Sequence, residues 1–299
     1  MNSIGYACIC LSLGKNGCVN RGIKSATFKR EGLHKCGELA LMNVQSLYRV
    51  LAWNHANGIR IYRMSSSMFP WLTHYPNGPQ DLPQWNDISY VLQRCGKFAI
   101  EHGMRLSFHP GQFCVLGGER DSVANISLLE IDRHAQIMDV MGLPQTRQHH
   151  INIHVNSGKP NKATVIAKWC KNFARLSSSA QARLTVENED KPKLFAVEEL
   201  IPIHEQTGCA IVFDNLHWQC NHLPGTTLQS SMHKAFSTWN TTPLMHWSST
   251  RKKEDATSPM RAHADWVYDT VDSFGIAADV EFEAKQKELA VKKYLENHA

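Results

Sequence analysis

The chain alternates short β-forming runs with amphipathic helical segments, and this alternation restricts its fold more than any other feature. A helical stripe over residues 36–57 ends at an Asn-Gly pair, and a β run over 59–64 follows at once. A second stripe over 88–99 ends at a His-Gly pair, and a β run over 104–108 follows. Apolar residues three and four apart indicate a helix, and Asn-Gly or Gly marks its end. Strands separated by a crossover helix run parallel.

Eight β runs can be counted along the 299 residues, at 4–8, 59–64, 104–108, 150–155, 183–186, 210–213, 244–247 and 279–282. Eight strands that alternate with helical segments over this length predict a (β/α)8 barrel, the TIM barrel. An open doubly wound sheet is the structural alternative, but no Gly-x-Gly-x-x-Gly follows the first run. No linker rich in Pro, Gly or Ser divides the chain. We therefore predict a single TIM-barrel domain over residues 1–299.

The composition excludes several other classes of protein. With 42% hydrophobic and 20% charged residues, the chain can bury a core and is not disordered. No run reaches the ~18 apolar residues of a membrane helix, and the first residues lack the basic region of a secretory signal. Nine cysteines without a Cys-x-x-Cys pair indicate reduced thiols. We expect a cytoplasmic protein without membrane contact, and its net charge of +5 permits a polyanionic partner.

Potential metal ligands follow or end seven of the predicted strands. They are His74, His109, His154, Glu187, Asp214, His217, His246 and Glu283. Because strand ends meet at the mouth of a barrel, we expect all eight on one face. Each pair of carboxylates there would repel by ~4 kcal/mol at ~4 Å, so a cation must lie among them. Imidazoles and carboxylates without thiolates suit Mn²⁺, Zn²⁺ or Fe²⁺, and eight ligands predict two or three ions.

These residues differ in how strongly each one indicates a site. A single histidine in a strand is more often a hydrogen-bonded core residue, so His74 or His246 alone indicates little. An acid that ends an apolar strand is more informative, because burial requires that it be paired or liganded. Glu187 and Glu283 are of this kind. The strongest local signal is Phe213-Asp214-Asn215-Leu216-His217, which offers a carboxylate and an imidazole one turn apart.

Taken together, these positions make the chain resemble the UV damage endonucleases, DNA-repair enzymes related in fold to endonuclease IV and xylose isomerase. The resemblance runs nearly end to end and is carried by Gly5-Tyr6, Tyr62-Arg63-Met64-Ser65-Ser66-Ser67, Thr73-His74, Ser107-Phe108-His109-Pro110-Gly111-Gln112, Glu187-Asn188-Glu189-Asp190, Phe213-Asp214-Asn215-Leu216-His217, Met245-His246-Trp247-Ser248-Ser249 and Glu283-Ala284-Lys285.

The resemblance implies an activity and a cofactor. Family members nick duplex DNA immediately 5′ to cyclobutane dimers and 6-4 photoproducts, often also at abasic sites, leaving a 3′-hydroxyl and a 5′-phosphate. The eight residues above would then bind a cluster of divalent ions, with Mn²⁺ the family's usual metal and Zn²⁺ or Mg²⁺ as alternatives. Glu187, Asp214, Glu283 and His109 would form the catalytic centre. The expected partner is damaged double-stranded DNA, and we expect a monomer that acts at the nucleoid.

The resemblance also places residues that contact DNA. It assigns lesion probing to Gln112 and Phe113, which would enter the duplex while the damaged nucleotides rotate outward. From the residues alone, Phe113 packing under its own loop is the simpler interpretation. We place Tyr6 and His263 on the same surface. Three basic segments, 11–35, 159–162 and 251–261, would contact phosphates. Within the third segment we expect Arg251 and Lys252 to make these contacts.

Three positions depart from the family pattern. Leu244 stands where many members carry a lysine that can be carboxylated to help bridge metals, Phe113 replaces a tyrosine, and Cys10 replaces an asparagine found in some members. These departures affect metal count, rate and lesion range more than reaction class. The competing hypotheses are an abasic-site endonuclease of the endonuclease IV type, a metal-dependent sugar isomerase on the same barrel, and a non-catalytic binder of damaged DNA. Basic loops around the mouth argue against the isomerase.

Overall fold

Eight parallel strands close into a barrel in the computed structural model, which describes residues 3–298. The strands are β1 Ile4–Ala7, β2 Ile61–Met64, β3 Arg105–Phe108, β4 Ile151–His154, β5 Leu184–Glu187, β6 Ala210–Asp214, β7 Leu244–Trp247 and β8 Asp279–Phe282. Each strand pairs with its neighbour in sequence, and β8 pairs with β1 to complete the ring. The predicted TIM barrel is confirmed, and every predicted strand boundary lies within two residues of the observed one.

Helices surround the barrel at α1 Ser25–Ala56, α2 Trp85–Glu101, α3 Asp121–Val140, α4 Lys162–Phe173, α5 Ser178–Arg183, α6 Val197–Thr207, α7 Asn215–Cys220, α8 Leu228–Phe236 and α9 Lys287–Asn297. Short 3-10 turns lie at Leu11–Gly17, Ser66–Met68, Leu72–His74, Pro79–Asp81 and Arg251–Lys253. Within residues 3–298, none of the helices is long and apolar enough to cross a bilayer.

The basic segment 11–35 consists largely of helical turns. It contains the 3-10 turn Leu11–Gly17, and α1 begins at Ser25, eleven residues before the predicted start at residue 36. Gly32 interrupts the helical backbone with a φ of 57°. The apolar residues of α1 therefore do not follow one continuous helical spacing from its start. Arg21 is held inside the segment by the side chains of Asn43 and Ser46. This segment therefore offers fewer free cations than its composition suggests.

Side chains inside the barrel form successive layers, because residues two apart on a strand share one face. Near the N-terminal ends of the strands, Ile61, Val212 and Leu244 belong to a small apolar cluster that is separate from the main core. Two residues further along β2, β6 and β7, the same face carries Arg63, Asp214 and His246. An apolar layer therefore lies beneath a layer of charged residues and imidazole.

A buried ion pair joins β3 to β8 near the N-terminal end of the barrel. Arg105 is only 2% exposed, and its guanidinium donates to Asp279 Oδ2 at 3.0 Å and to the carbonyl oxygen of Thr242 at 2.9 Å. Burial lowers the pKa of Arg105, while Asp279 opposes this shift. The pair thus depends on both partners, because either charge alone would be buried without compensation.

Replacing Arg105 with methionine should destabilise the barrel strongly. The substitution leaves the Asp279 carboxylate buried and unpaired, which typically costs about 3–5 kcal/mol in the free energy of unfolding. Urea denaturation followed by circular dichroism measures this loss. Lys97→Met, which removes the exposed partner of Glu101, is the matched control and should change stability little. Equal stability of the two variants would contradict a structural role for the buried pair.

Candidate metal centre

Seven of the eight predicted ligands meet at the C-terminal ends of the strands. They form three groups whose ligand atoms lie within 4.8 Å of one another: His109, His154 and Glu187; Glu187, Asp214 and His217; and Asp214, His246 and Glu283. Glu187 belongs to the first two groups and Asp214 to the last two. The two shared carboxylates therefore join the groups into one continuous cluster, as a site for several adjacent ions requires.

Glu187 lies at the centre of this cluster. It ends β5 and is fully buried. Its Oε2 atom is 3.1 Å from His109 Nε2 and accepts a hydrogen bond from the amide of Asn152. Its Oε1 atom lies 3.1 Å from His217 Nδ1 and 3.2 Å from His246 Nδ1 but has no aligned hydrogen bond. This oxygen is placed to contact a cation.

The charge of Glu187 is maintained by its surroundings. Burial raises the pKa of this carboxyl, but the imidazoles of His154 and His246 outweigh burial and hold the pKa well below its usual range. For His246, burial lowers the pKa, whereas the carboxylates of Glu187 and Glu283 raise it to about 9. Both ring nitrogens of His246 are buried without a hydrogen-bond partner in the described chain. Without ions, His246 therefore supplies part of the positive charge that the carboxylates need, whereas burial lowers the pKa of His154 to about 4.

Asp214 is oriented by hydrogen bonds to the backbone amide of His217 and to the side chain of Asn188. It ends β6 and caps α7, with its Oδ1 atom accepting a hydrogen bond of 2.7 Å from the backbone amide of His217. The side chain of Asn188 bonds both the amide and the carbonyl of Asp214, at 2.8 and 3.0 Å. The Oδ2 atom is left buried without a partner in the described residues, and burial raises the pKa of Asp214. A cation at Oδ2 would relieve that cost.

Arg63 and Glu281 belong to the centre but were not among the predicted site residues. Glu281 is fully buried on β8, two residues before Glu283, and its Oε1 atom is 2.9 Å from Arg63 Nε and 3.9 Å from His246 Nε2. Arg63 also bonds Glu283. A signal was available, since both residues share the inward strand face with recognised positions. The expected three carboxylates are therefore four.

The donor set fits a group of divalent cations. Four carboxylates converge in this region. Within residues 3–298, Arg63 is the arginine that forms ion pairs with them. Glu187 Oε1 and Asp214 Oδ2 are buried atoms with no hydrogen-bond partner in those residues. Oxygen and imidazole donors without a thiolate suit Mn²⁺, Zn²⁺ or Fe²⁺. Divalent ions would supply the positive charge that one guanidinium does not.

His74 does not join the other seven residues. It ends the 3-10 turn Leu72–His74, is exposed, and packs edge-on against Trp71 and Phe28 at ring distances of 4.9 and 5.6 Å. Trp71, with a left-handed backbone at φ 61°, begins that turn. The turn thus directs the histidine toward an aromatic pair. The expectation that all eight ligands converge is wrong in this conformation.

The proposed probing pair has the exposure that contact with a partner requires. Cys114 N donates to Gly111 O at 2.9 Å, which places Gln112 and Phe113 at the tip of a tight turn after β3. Phe113 is 82% exposed, so it does not pack under its loop. The simpler interpretation of Phe113 is therefore wrong, and the aromatic ring is free to contact a partner.

Tyr6 cannot contact DNA in this structure. Its side chain is fully buried, and its hydroxyl donates to Asn54 Oδ1 on α1 at 2.8 Å. Because side chains alternate along a strand, Tyr6 lies on the helix-facing side of β1. The expected DNA contact by Tyr6 is thus wrong, and its role is to attach β1 to α1.

His263, Arg251 and Lys252 lie on the chain that follows β7. A short antiparallel bridge between Thr250 and His263 returns this chain to the mouth. His263 Nδ1 lies 2.8 Å from the carbonyl oxygen of Glu283, and its ring is 6.4 Å from that of His217. Arg251 and Lys252 form no ion pair within the described residues, whereas Lys253 pairs with Asp269 and Arg261 with Asp190.

Comparison with known proteins identifies the family. The family model described as UV-endonuclease UvdE matches residues 2–298. A putative UV-damage endonuclease of Acanthamoeba polyphaga mimivirus is 26% identical over 97% of this chain and 89% of the relative. A UV-damage endonuclease of Neurospora crassa is 32% identical over 85% of this chain, which spans only 40% of that relative. The crystal structure of SacUVDE superposes with a TM-score of 0.85 at 28% identity, covering 99% of this chain and 97% of that one. The chain therefore belongs to the UV-endonuclease UvdE family, a family of DNA-repair endonucleases.

Proposed function

We propose that this endonuclease cleaves duplex DNA immediately 5′ to UV photoproducts, leaving a 3′-hydroxyl and a 5′-phosphate, and that divalent metals are required. The observation that carries the proposal is the buried cluster in which Glu187 and Asp214 join three groups of potential ligands. Hydrolysis of a phosphodiester needs positive charge at the phosphate and a deprotonated water. A ring of acids and imidazoles at the barrel mouth is suited to hold metals for that purpose.

The residues that would hold two or three ions are His109, His154, Glu187, Asp214, His217, His246 and Glu283. We propose Mn²⁺ as the metal, with Zn²⁺ and Mg²⁺ as alternatives. When bound, such ions lower the pKa of a water molecule and offset the charge on the phosphate and on the leaving oxygen. The chain itself then needs no covalent nucleophile.

The protein's own contribution is to fix the ligands. His109 Nδ1 lies 3.0 Å from the carbonyl oxygen of Pro110, which turns its Nε2 toward Glu187. Asn152 holds Glu187 and Asn188 holds Asp214. Such secondary contacts set the orientation of a ligand and strengthen metal affinity. We therefore assign Glu187, Asp214, Glu283 and His109 to the placement of metal and phosphate rather than to proton transfer.

Lesion recognition is assigned to the turn that carries Gln112 and Phe113. Its exposed aromatic ring could replace a base in the stack while damaged nucleotides rotate toward the metal centre. Extrusion costs least where stacking is already broken, so a photoproduct favours it. We propose that His263, Arg251 and Lys252 contact the DNA beside this turn, and that one monomer acts on one duplex.

Glu187→Gln should reduce metal binding. The substitution removes the charged carboxylate shared by two ligand groups, so we expect fewer bound ions and an affinity for Mn²⁺ lower by about 100-fold or more. Calorimetry and elemental analysis of the purified protein measure both quantities. Glu205→Gln, an exposed position on α6, is the matched control. Unchanged Mn²⁺ content in the Glu187 variant would contradict the assignment.

A nicking assay on a duplex with one defined thymine dimer tests the reaction. We expect a single nick 5′ to the dimer with Mn²⁺ and a loss of roughly 10³-fold or more in rate with EDTA or Glu187→Gln, because the charge at the phosphate is then uncompensated. DNA binding should persist in both cases. Duplexes with an abasic site or without damage run in parallel. Cleavage confined to the abasic duplex would support the endonuclease IV alternative, and nicking in EDTA would contradict metal dependence.

Phe113→Ala should impair lesion recognition without affecting the fold. The ring is largely exposed, so stability and metal content should not change, while loss of stacking should lower kcat/KM for the dimer by about tenfold to 100-fold. Tyr90→Ala removes another exposed aromatic ring, on α2, and serves as the control. Fluorescence of 2-aminopurine beside the dimer reports unstacking. A Phe113 variant that unstacks and nicks like the parent would refute the assignment.

A further inference from the structure

A basic groove lies beside the metal centre and is not used by the function proposed above. It has a volume of about 910 Å³ and is formed by the chain segments that follow β3, β4 and β5. Five cations line it, Arg120, Lys159, Lys162, Lys191 and Lys193, together with one acid, Glu119. In a barrel these segments lie at the same end as the metal centre.

Four of the five cations are available to a partner. Lys162 is paired with Glu199 at 2.6 Å. Arg120, Lys159, Lys191 and Lys193 are exposed, and in the described part of the chain none of them forms an ion pair. Many other basic residues are paired within the protein, including Arg30 with Glu31 and Lys35 with Glu38. The groove therefore carries four unpaired positive charges against one acid, Glu119.

The walls of the groove are held in place by buried contacts. Glu189, on the segment after β5, accepts hydrogen bonds from the backbone amides of Asn156, at 2.8 Å, and Phe195, at 3.2 Å. Gly158 approaches the opposite wall so closely that a β-carbon there would lie 2.4 Å from the carbonyl oxygen of Lys193. The segments after β4 and β5 are thus joined, and the lysines extend from a prearranged surface.

The groove connects directly to both parts of the proposed site. Its lining residue Asn156 comes two residues after the ligand His154, and Lys191 comes four residues after Glu187. On the third wall, Val115 comes two residues after Phe113 at the tip of the probing turn. A strand that leaves the metal centre past this turn would therefore meet the groove next.

We propose that the groove binds the phosphodiester backbone of one DNA strand on one side of the lesion. The lining contains no aromatic side chain on which a base could stack, so its chemistry suits phosphates rather than bases. When unpaired lysine and arginine side chains contact phosphates along a strand, they release counterions from the DNA. This release gives affinity without sequence preference. This inference rests on the proposed function, because it takes DNA as the substrate.

The test is reversal of two charges in the groove, Lys191→Glu with Lys193→Glu. With the metal-loaded enzyme, KM for the dimer duplex should rise at least about tenfold while kcat is retained, and the log–log slope of affinity against salt should become shallower by about 2. The matched control is Lys97→Glu with Lys234→Glu, which changes the net charge equally at exposed positions near the ends of α2 and α8. It should behave like the parent.

Shortened substrates show which part of the DNA occupies the groove. Trimming the dimer duplex on one side should weaken the parent, whereas the groove variant should no longer respond to trimming on that side. Equal KM, salt slope and response to trimming in the groove and control variants would overturn the inference while leaving nicking intact. If the parent binds but does not nick, the proposed function fails, and salt slopes on an undamaged duplex still decide the groove. Absence of DNA binding by the parent would overturn both.

Discussion

Mutual repulsion among buried carboxylates is the constraint around which the mouth of this barrel is organised. Glu187, Asp214, Glu281 and Glu283 come from three strands and are placed close together, where each pair of bare charges would repel strongly. Arg63 neutralises part of this charge by bridging Glu281 and Glu283. The imidazoles of His217 and His246, which lie 3.1 and 3.2 Å from Glu187 Oε1, counter that carboxylate. The cluster is stable only because it is neutralised, which is also the property that makes it a strong site for cations.

The residues that stabilise the barrel lie in a different layer from this charged region. Beneath the ligands, Leu244 packs with Ile61 and Val212, and the Arg105–Asp279 pair joins β3 to β8 at the same end. Leu244 is fully buried and carries no atom that can bind a metal. A lysine at this position would instead carry an amine toward the ligand cluster. In this chain the corresponding space is apolar, so the potential metal ligands are confined to the layer above it, where Arg63 and Glu281 also lie.

The sequence predicted the barrel well because the strands are short runs set between helical segments, and two of them directly follow a clear helical stop, at Asn57-Gly58 and His102-Gly103. It predicted eight converging ligands because strand ends in a closed barrel must meet, and seven of them do. It failed for Tyr6 because the Gly5-Tyr6 motif was interpreted without asking which side of β1 each residue faces. Gly5 faces the barrel interior, so Tyr6 must face α1. It also failed for His74, whose orientation depends on a left-handed turn at Trp71 that no local pattern reveals. Arg63 and Glu281 could have been detected from the same alternation of side chains along a strand.

What the chain binds is determined less by the barrel than by which surface charges remain unpaired. The sequence predicts three basic segments, but in 11–35 Arg30 and Lys35 are paired with Glu31 and Glu38, and Arg21 is held by Asn43 and Ser46. After β7, Lys253 and Arg261 are also paired, which leaves Arg251 and Lys252. The segments after β4 and β5 retain most of their charge. If the basic groove binds a phosphodiester backbone as proposed, a duplex centred on the metal cluster gains an additional contact on that side, which composition alone does not predict.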